Sequence, residues 1–267
     1  MTEKVADRPA SPYLLVARVV WLEVRRREEY LALFILMGLY LVFALGARLV
    51  GNAETESVAL MLNMGLWLSG ALAAVLTLVS AARLIPTEIE ARTLYPLLAK
   101  PIRRSQVLIG KFLAATIAGW FCFLLFTLLT TMTWAAKFPL PGQDPLMLLQ
   151  ALVLQLLALA LLASLSLFLS LIVPVAVAIV VSAVLYFGGT ALFNVIRSLL
   201  DGTAAETIAD WALYYLPHFS RLCLLQRFTD GGPCLLWSHW LYLALYSTVA
   251  SLLLLAISSR LFERQRL

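Results

Sequence analysis

Charged side chains are scarce in this chain. They make up 13% of its 267 residues, against about a quarter in an ordinary soluble domain. The same sequence is 62% hydrophobic. A water-soluble body of this length has too little interior to hide so much apolar surface, so lipid is the solvent that fits. Cysteine is scarce as well. Cys122, Cys223 and Cys234 form no C-x-x-C pair, which removes any zinc signal from their spacing. Cys122 lies in a hydrophobic run and reads as a small packed apolar residue. Cys223 and Cys234 share one segment between apolar runs; they can pair there if it faces an oxidising compartment, or remain two free thiols. His218 and His239 are isolated, and with the two cysteines they match no familiar ligand set, so no metal is expected. A G-x-x-x-x-G-K-[ST] phosphate loop is missing. Gly110-Lys111 is not one, because the upstream glycine is absent and a hydrophobic run follows. No Asp, Glu or Lys lies deep in any long apolar run, which weighs against a proton- or ion-coupled carrier. The polar opening 1–12 is followed by no short apolar core with a cleavage site, so no signal peptide is expected.

What the chain does have is long apolar runs. The expected architecture is an all-α integral membrane domain of six transmembrane helices, over 30–49, 58–82, 107–136, 146–172, 175–196 and 240–259. Each run has the roughly 20 apolar residues needed to cross about 30 Å of hydrocarbon. Helices follow because lipid offers no partner to open backbone groups. Pro174 alone separates the fourth run from the fifth, so that turn must be tight. With the N-terminus inside, segments 1–29, 83–111 and 260–267 hold 15 of the 20 lysines and arginines. That bias places both termini and the 83–111 island in the cytoplasm. Residues 13–29 read as a helix lying on the inner surface. Leu14, Leu15, Val19, Leu22 and Val24 give it an apolar side, and Arg18, Arg25, Arg26 and Arg27 can meet anionic headgroups. The other reading of this stretch is a plain basic flank of the first span. The outer segment 198–239 sets Asp201, Glu206, Asp210 and Asp230 against Arg221 and Arg227. Its aromatics, Trp211, Tyr214 and Tyr215, favour the headgroup level. One or two short helices dipping back into the outer leaflet are expected, with a turn at Gly231-Gly232-Pro233.

The charged island between the second and third runs is the most specific feature. Pro86 and Thr87 can open a helix, with Glu88 and Glu90 in its first turn at the positive end of the dipole. Ile89, Leu94, Leu97 and Leu98 supply an apolar side, while Pro96 and Pro101 limit the helix and predict a second short one from near Ser105. A mere turn would need only a few polar residues. Interleaved charge and apolar positions make a docking surface for a soluble partner, where the bland alternative is a solvated loop.

Glu88-x-Glu90-x-x-Thr93-Leu94, then Leu97-Leu98-x-Lys100-Pro101-x-x-Arg104, then Gly110-Lys111, resembles the cytoplasmic signature of ABC-2-type permeases of ATP-binding cassette transporters. Within that family it is most similar to the permeases of multicopper-enzyme maturation and gliding motility. Tyr95-Pro96 departs from the usual helix formers and implies a kinked local helix. The resemblance implies a type V ABC exporter-like domain in the cytoplasmic (inner) membrane. It implies a homodimer, with each copy binding a separate soluble ATPase subunit. The 83–106 segment would be the coupling element, with Glu88, Glu90, Arg92, Thr93, Leu97, Leu98, Lys100, Pro101, Arg103 and Arg104 in or beside the ATPase contact. No cofactor is expected on this chain; ATP and magnesium belong to the ATPase. An outer-face accessory protein and the bilayer complete the expected partners, and nucleic acid is not among them.

Gly65, Ser69, Gly70 and Ala73 recur at helix-packing spacing in the second run and permit close backbone approach, in a dimer seam or within the chain. The few polar residues in the runs are Asn63, Thr127, Thr130, Gln150, Gln155, Ser164, Ser166 and Asn194. They bond neighbouring helices or line a substrate path. Two other functional readings stand beside the transporter: an ATP-driven conformational transmitter acting on an outer partner without transport, and an integral membrane enzyme built on the sparse His218, His239 and cysteine set.

Overall fold

The structure, a computed structural model, describes residues 28–50, 55–84, 86, 104–134, 145–200, 219–225, 228 and 234–264. Among them every regular element is helical. α1 is Glu28–Val50, α2 Thr55–Arg83, α3 Arg104–Trp134, α4 Pro145–Ser170, α5 Val175–Leu200 and α6 Trp237–Arg264, with one 3-10 turn at Phe219–Arg221. Four stretches are long and apolar enough to cross a membrane: Leu60–Arg83, Ser105–Thr133, Pro145–Ser170 and Trp237–Glu263. Within α1 and α5, Leu31–Gly46 and Val175–Gly189 are shorter apolar stretches. Arg18, Arg25, Arg26 and Arg27 lie outside the described residues.

The bundle is arranged around α4. Its sequence is apolar on every side, the pattern of a helix with neighbours all round, and it packs on α2, α3, α5 and α6. Of the spanning residues in α2 and in α4, 67% are buried, against 28% in α6. α6 therefore sits at the rim, with Leu241, Leu245, Leu252 and Leu253 facing outward. α1 rests on α2 and α3 at another edge, where Phe34 meets Phe126 edge-on at 5.2 Å.

Two apolar clusters mark the two ends of the bundle. One joins Ala81, Leu84, Leu108, Ala114, Leu167, Leu255 and Phe262. It gathers the end of α2, the start of α3 and the ends of α4 and α6. The other runs through the bundle centre to the opposite end and takes in Met147, Ala151, Leu185 and Leu235. Phe219, Leu222, Leu225 and Phe228, three residues apart, are all buried in it. That spacing is one apolar face of a helical turn, and it seats the described part of the segment between α5 and α6 inside the bundle rather than on its surface.

Polar side chains link the helices across this apolar interior. Gln150 clasps the backbone ahead of α6: its Nε2 donates to Leu235 O at 3.2 Å and its Oε1 accepts from Leu235 N at 3.1 Å. Trp240 Nε1 returns a bond to Gln150 O at 3.2 Å. Ser166 Oγ donates to Leu78 O, Trp120 Nε1 to Leu156 O, and Ser247 Oγ to Leu157 O. Thr130, Ser164, Ser251 and Ser258 instead bond carbonyls three or four residues back on their own helix. That is the usual way a hydroxyl is satisfied inside a membrane helix. The turn at Pro174 is also closed locally. Val173 N donates to Leu169 O, ending α4, and Pro174 O accepts from Ala178 N, opening α5.

α2 and α3 share the most extensive helix contact in the fold, and small residues set how close they come. Ser69 Oγ lies 3.2 Å from Thr127 Oγ1. A Cβ on Gly65 would overlap Thr130 and the Tyr40 ring, and one on Gly119 would overlap the Thr77 side chain, whose hydroxyl is already bonded to Ala73 O. Ala73 is fully buried beside them. Overpacking such a contact costs about 1–3 kcal/mol. Gly119→Ala should therefore lower the thermal midpoint of the purified protein in detergent. Gly119→Ala with Thr77→Ala should recover most of that loss; an equal loss in the double variant would place the clash elsewhere.

Candidate functional site

Two of the polar arrangements among the described residues lie at opposite ends of the bundle and bear on function. The first is at the end where α2 stops and α3 begins. A helix leaves its last carbonyls without intrahelical partners, and Leu84 O lies just past the end of α2. Lys111, two turns into α3, is only 1% exposed and donates from Nζ to Leu84 O at 2.6 Å. The cation sits at the negative end of the α2 dipole, which favours it. Burying an ammonium without partners would be prohibitive. The geometry thus joins the two feet of the segment 85–103 by one short charge-assisted bond. Glu88, Glu90, Arg92, Thr93, Leu97, Leu98, Lys100, Pro101 and Arg103 lie outside the described residues, and Arg104 is the first residue of α3. Arg83, Arg260 and Arg264 close the ends of α2 and α6 at this same end of the bundle.

The second place is a cavity of about 380 Å³ between α2, α4, α5 and the Phe219–Arg221 turn. Its walls include Asn63, Trp67, Gly70, Gln155, Tyr186 and Cys223. Gln155, 1% exposed, donates from Nε2 to Tyr186 OH at 2.7 Å. The Tyr186 ring tilts against Phe219 at 5.4 Å, and Cys223 lines the same cavity. Cys223 keeps an exposed surface. The protein atoms crowded round its sulfur still desolvate it and push its pKa up, so it is a neutral thiol at pH 7. Gly70 makes room for this arrangement: a Cβ there would come within 3.2 Å of Gln155 Nε2.

Of the small residues singled out in the sequence, Gly65 and Ser69 meet α1 and α3 within the same chain, and Gly70 faces Gln155. Cys122, Cys223 and Cys234 form no disulfide. His239 stacks on Tyr242 with ring centroids 6.5 Å apart. Among the described residues no three His, Cys, Asp or Glu gather as metal ligands. Sequence reading noted Lys111 as one of the inner basic residues and as part of a motif, and passed over Trp67 and Tyr186. A hydroxylated ring in the middle of an apolar run was the one signal for Tyr186, and nothing in the sequence tied it to Gln155.

An all-helical bundle with several spanning stretches and its polar groups turned inward is a multi-pass membrane protein. The chain belongs to the ABC-2 family transporter proteins, whose family model matches residues 26–267. No curated protein matches the chain.

Removing the ammonium at position 111 leaves Leu84 O without that donor, a loss of about 1–3 kcal/mol. Lys111→Met is expected to lower the thermal midpoint and to raise proteolytic cleavage within 85–103. Unaltered cleavage would show that the tie does not restrain that segment.

Proposed function

We propose that this chain is the permease subunit of an ATP-driven transporter in the cytoplasmic membrane. It works as a dimer with two soluble ATPase subunits, which supply ATP, magnesium and hydrolysis. The observation that carries the reading is the Lys111–Leu84 bond within a chain of this transporter family. Both ends of the 83–106 coupling segment are fixed to each other, and α2 and α3 share the most extensive helix contact in the bundle. A push on the segment therefore moves two helices as one body rather than bending a loop, the kind of rigid displacement that packed interfaces transmit. Glu88, Glu90, Arg92, Thr93, Leu97, Leu98, Lys100, Pro101, Arg103 and Arg104 carry the ATPase contact in this reading.

The membrane layout follows from the same end. Arg83, Arg104, Lys111, Arg260 and Arg264 all belong to helix ends that meet there, and basic residues mark the cytoplasmic side. Six spans, with α1 and α5 crossing alongside the four longer stretches, put both termini inside. Arg18, Arg25, Arg26 and Arg27 then lie on the inner headgroups.

A second reading keeps the ATPase and replaces transport with force passed to an outer partner. Phe219, Leu222, Leu225 and Phe228 favour it, because they root the segment before α6 in the same core that α2 and α4 share.

Purification from native membranes in mild detergent should bring down a Walker-type ATPase at near-equal stoichiometry. Glu88→Lys with Glu90→Lys should keep the permease folded yet abolish ATPase-linked transport. Undiminished transport in that double variant would remove 83–106 from the coupling route.

A further inference from the structure

The cavity around Gln155 contains a buried acceptor with nothing to accept from. Gln155 Oε1 has no hydrogen-bond partner, although Nε2 of the same amide is bonded to Tyr186. Nε2 and Oε1 share one planar amide, so the bond from Nε2 to Tyr186 OH turns Oε1 away from that hydroxyl. Gln155 is one of the residues that line the cavity. An unpaired buried carbonyl oxygen is costly, and such atoms in a polar-walled cavity mark a place for a donor from outside the protein.

The rest of the wall defines the donor's character. Among the described lining residues Asn63, Trp67, Ser220, Tyr186 and Cys223 bring the other polar groups, and none of the described ones carries a formal charge. An ion entering would lose hydration without a counter-charge to replace it. Trp67, Phe187 and Leu225 provide apolar surface. The volume of about 380 Å³ falls in the range of small-molecule sites. Asn63 and Trp67 also line a second depression of about 430 Å³, which continues over Tyr40, Phe43, Met64 and Leu68 between α1 and α2. Trp67 is 64% exposed where the two meet. A polar head can therefore sit at Gln155 while its hydrocarbon tail runs out past Trp67 along α1 and α2.

We propose that this cavity binds an uncharged amphiphile from the bilayer, a single-chain lipid whose head offers a hydroxyl or N–H to Gln155 Oε1. As a statement about cargo the proposal rests on the permease reading; as a statement about binding it does not.

The test uses the full chain with its co-purified ATPase in phospholipid nanodiscs, labelled by a monoacylglycerol carrying a photoreactive diazirine in its chain. Label is expected on peptides holding Trp67, Phe187 or Leu225. Monoolein should displace it at least tenfold better than methyl oleate, which has the same chain and no donor. Glycerol alone should not compete. Gln155→Met should reduce labelling about tenfold. Ala71→Phe, which fills the cavity and leaves the Gln155–Tyr186 bond in place, should do the same if Gln155→Met fails to fold. Equal competition by methyl oleate, label confined to the outward faces of α1 and α6, or displacement by glycerol would each overturn the proposal. Specific labelling with no change in ATPase rate on adding monoolein would keep the site and remove its role as cargo. Loss of labelling while the ATPase still co-purifies would leave the permease reading standing without this site.

Discussion

Bilayer hydrocarbon offers no water, so each polar atom held there needs a partner inside the protein. The described bundle is organised by that requirement. Backbone groups are satisfied within helices. Most buried hydroxyls turn back onto their own helix, and a smaller set of longer side chains reaches across to the next one. Gln150, Ser166, Trp120 and Ser247 all make such crossings to or from α4. The central helix is therefore held by directional bonds as well as by apolar packing. In lipid this matters more than in water, because apolar contact between helices displaces only other apolar matter.

The two ends of the bundle solve different problems with the same rule. At the Lys111 end a buried cation meets the carbonyl that α2 leaves open, which ties together the feet of a long charged segment. At the opposite end the segment before α6 turns its Phe219, Leu222, Leu225 and Phe228 inward, closing the core and leaving a cavity above Gln155. One end is held together by a single short bond between two helices. The other keeps a polar pocket half-satisfied. α2 takes part in both, with Leu84 following its last turn and Asn63, Trp67 and Gly70 toward its start. Motion of α2 relative to α4 would change the pocket, so the two sites are joined by one rigid element.

The helical class was legible because apolar runs of this length admit few other structures, and the charged island declared itself by contrast with them. Family membership was legible from Glu88, Glu90, Thr93, Lys100 and Pro101, whose spacing is a local property of the chain. Packing was less so. Gly65 and Ser69 advertised a close approach without saying to what; Tyr40, Thr130 and Thr127 are the neighbours, and they come from α1 and α3. Gln150 and Gln155 look alike in sequence, five residues apart on one helix. One is fully engaged by the Leu235 backbone; the other keeps an oxygen free.

Composition and run length alone determined that this chain is helical and resides in lipid, since the free energy of burying apolar surface depends on how much there is and not on its arrangement. The order of charges along the chain likewise set the charged island 83–111 apart from the apolar runs on either side. Which polar group finds which partner was decided only in three dimensions. A hydrogen bond needs two atoms within about 3 Å of each other, and the pairs that matter here, Lys111 with Leu84, Gln150 with Leu235 and Gln155 with Tyr186, are 27, 85 and 31 residues apart.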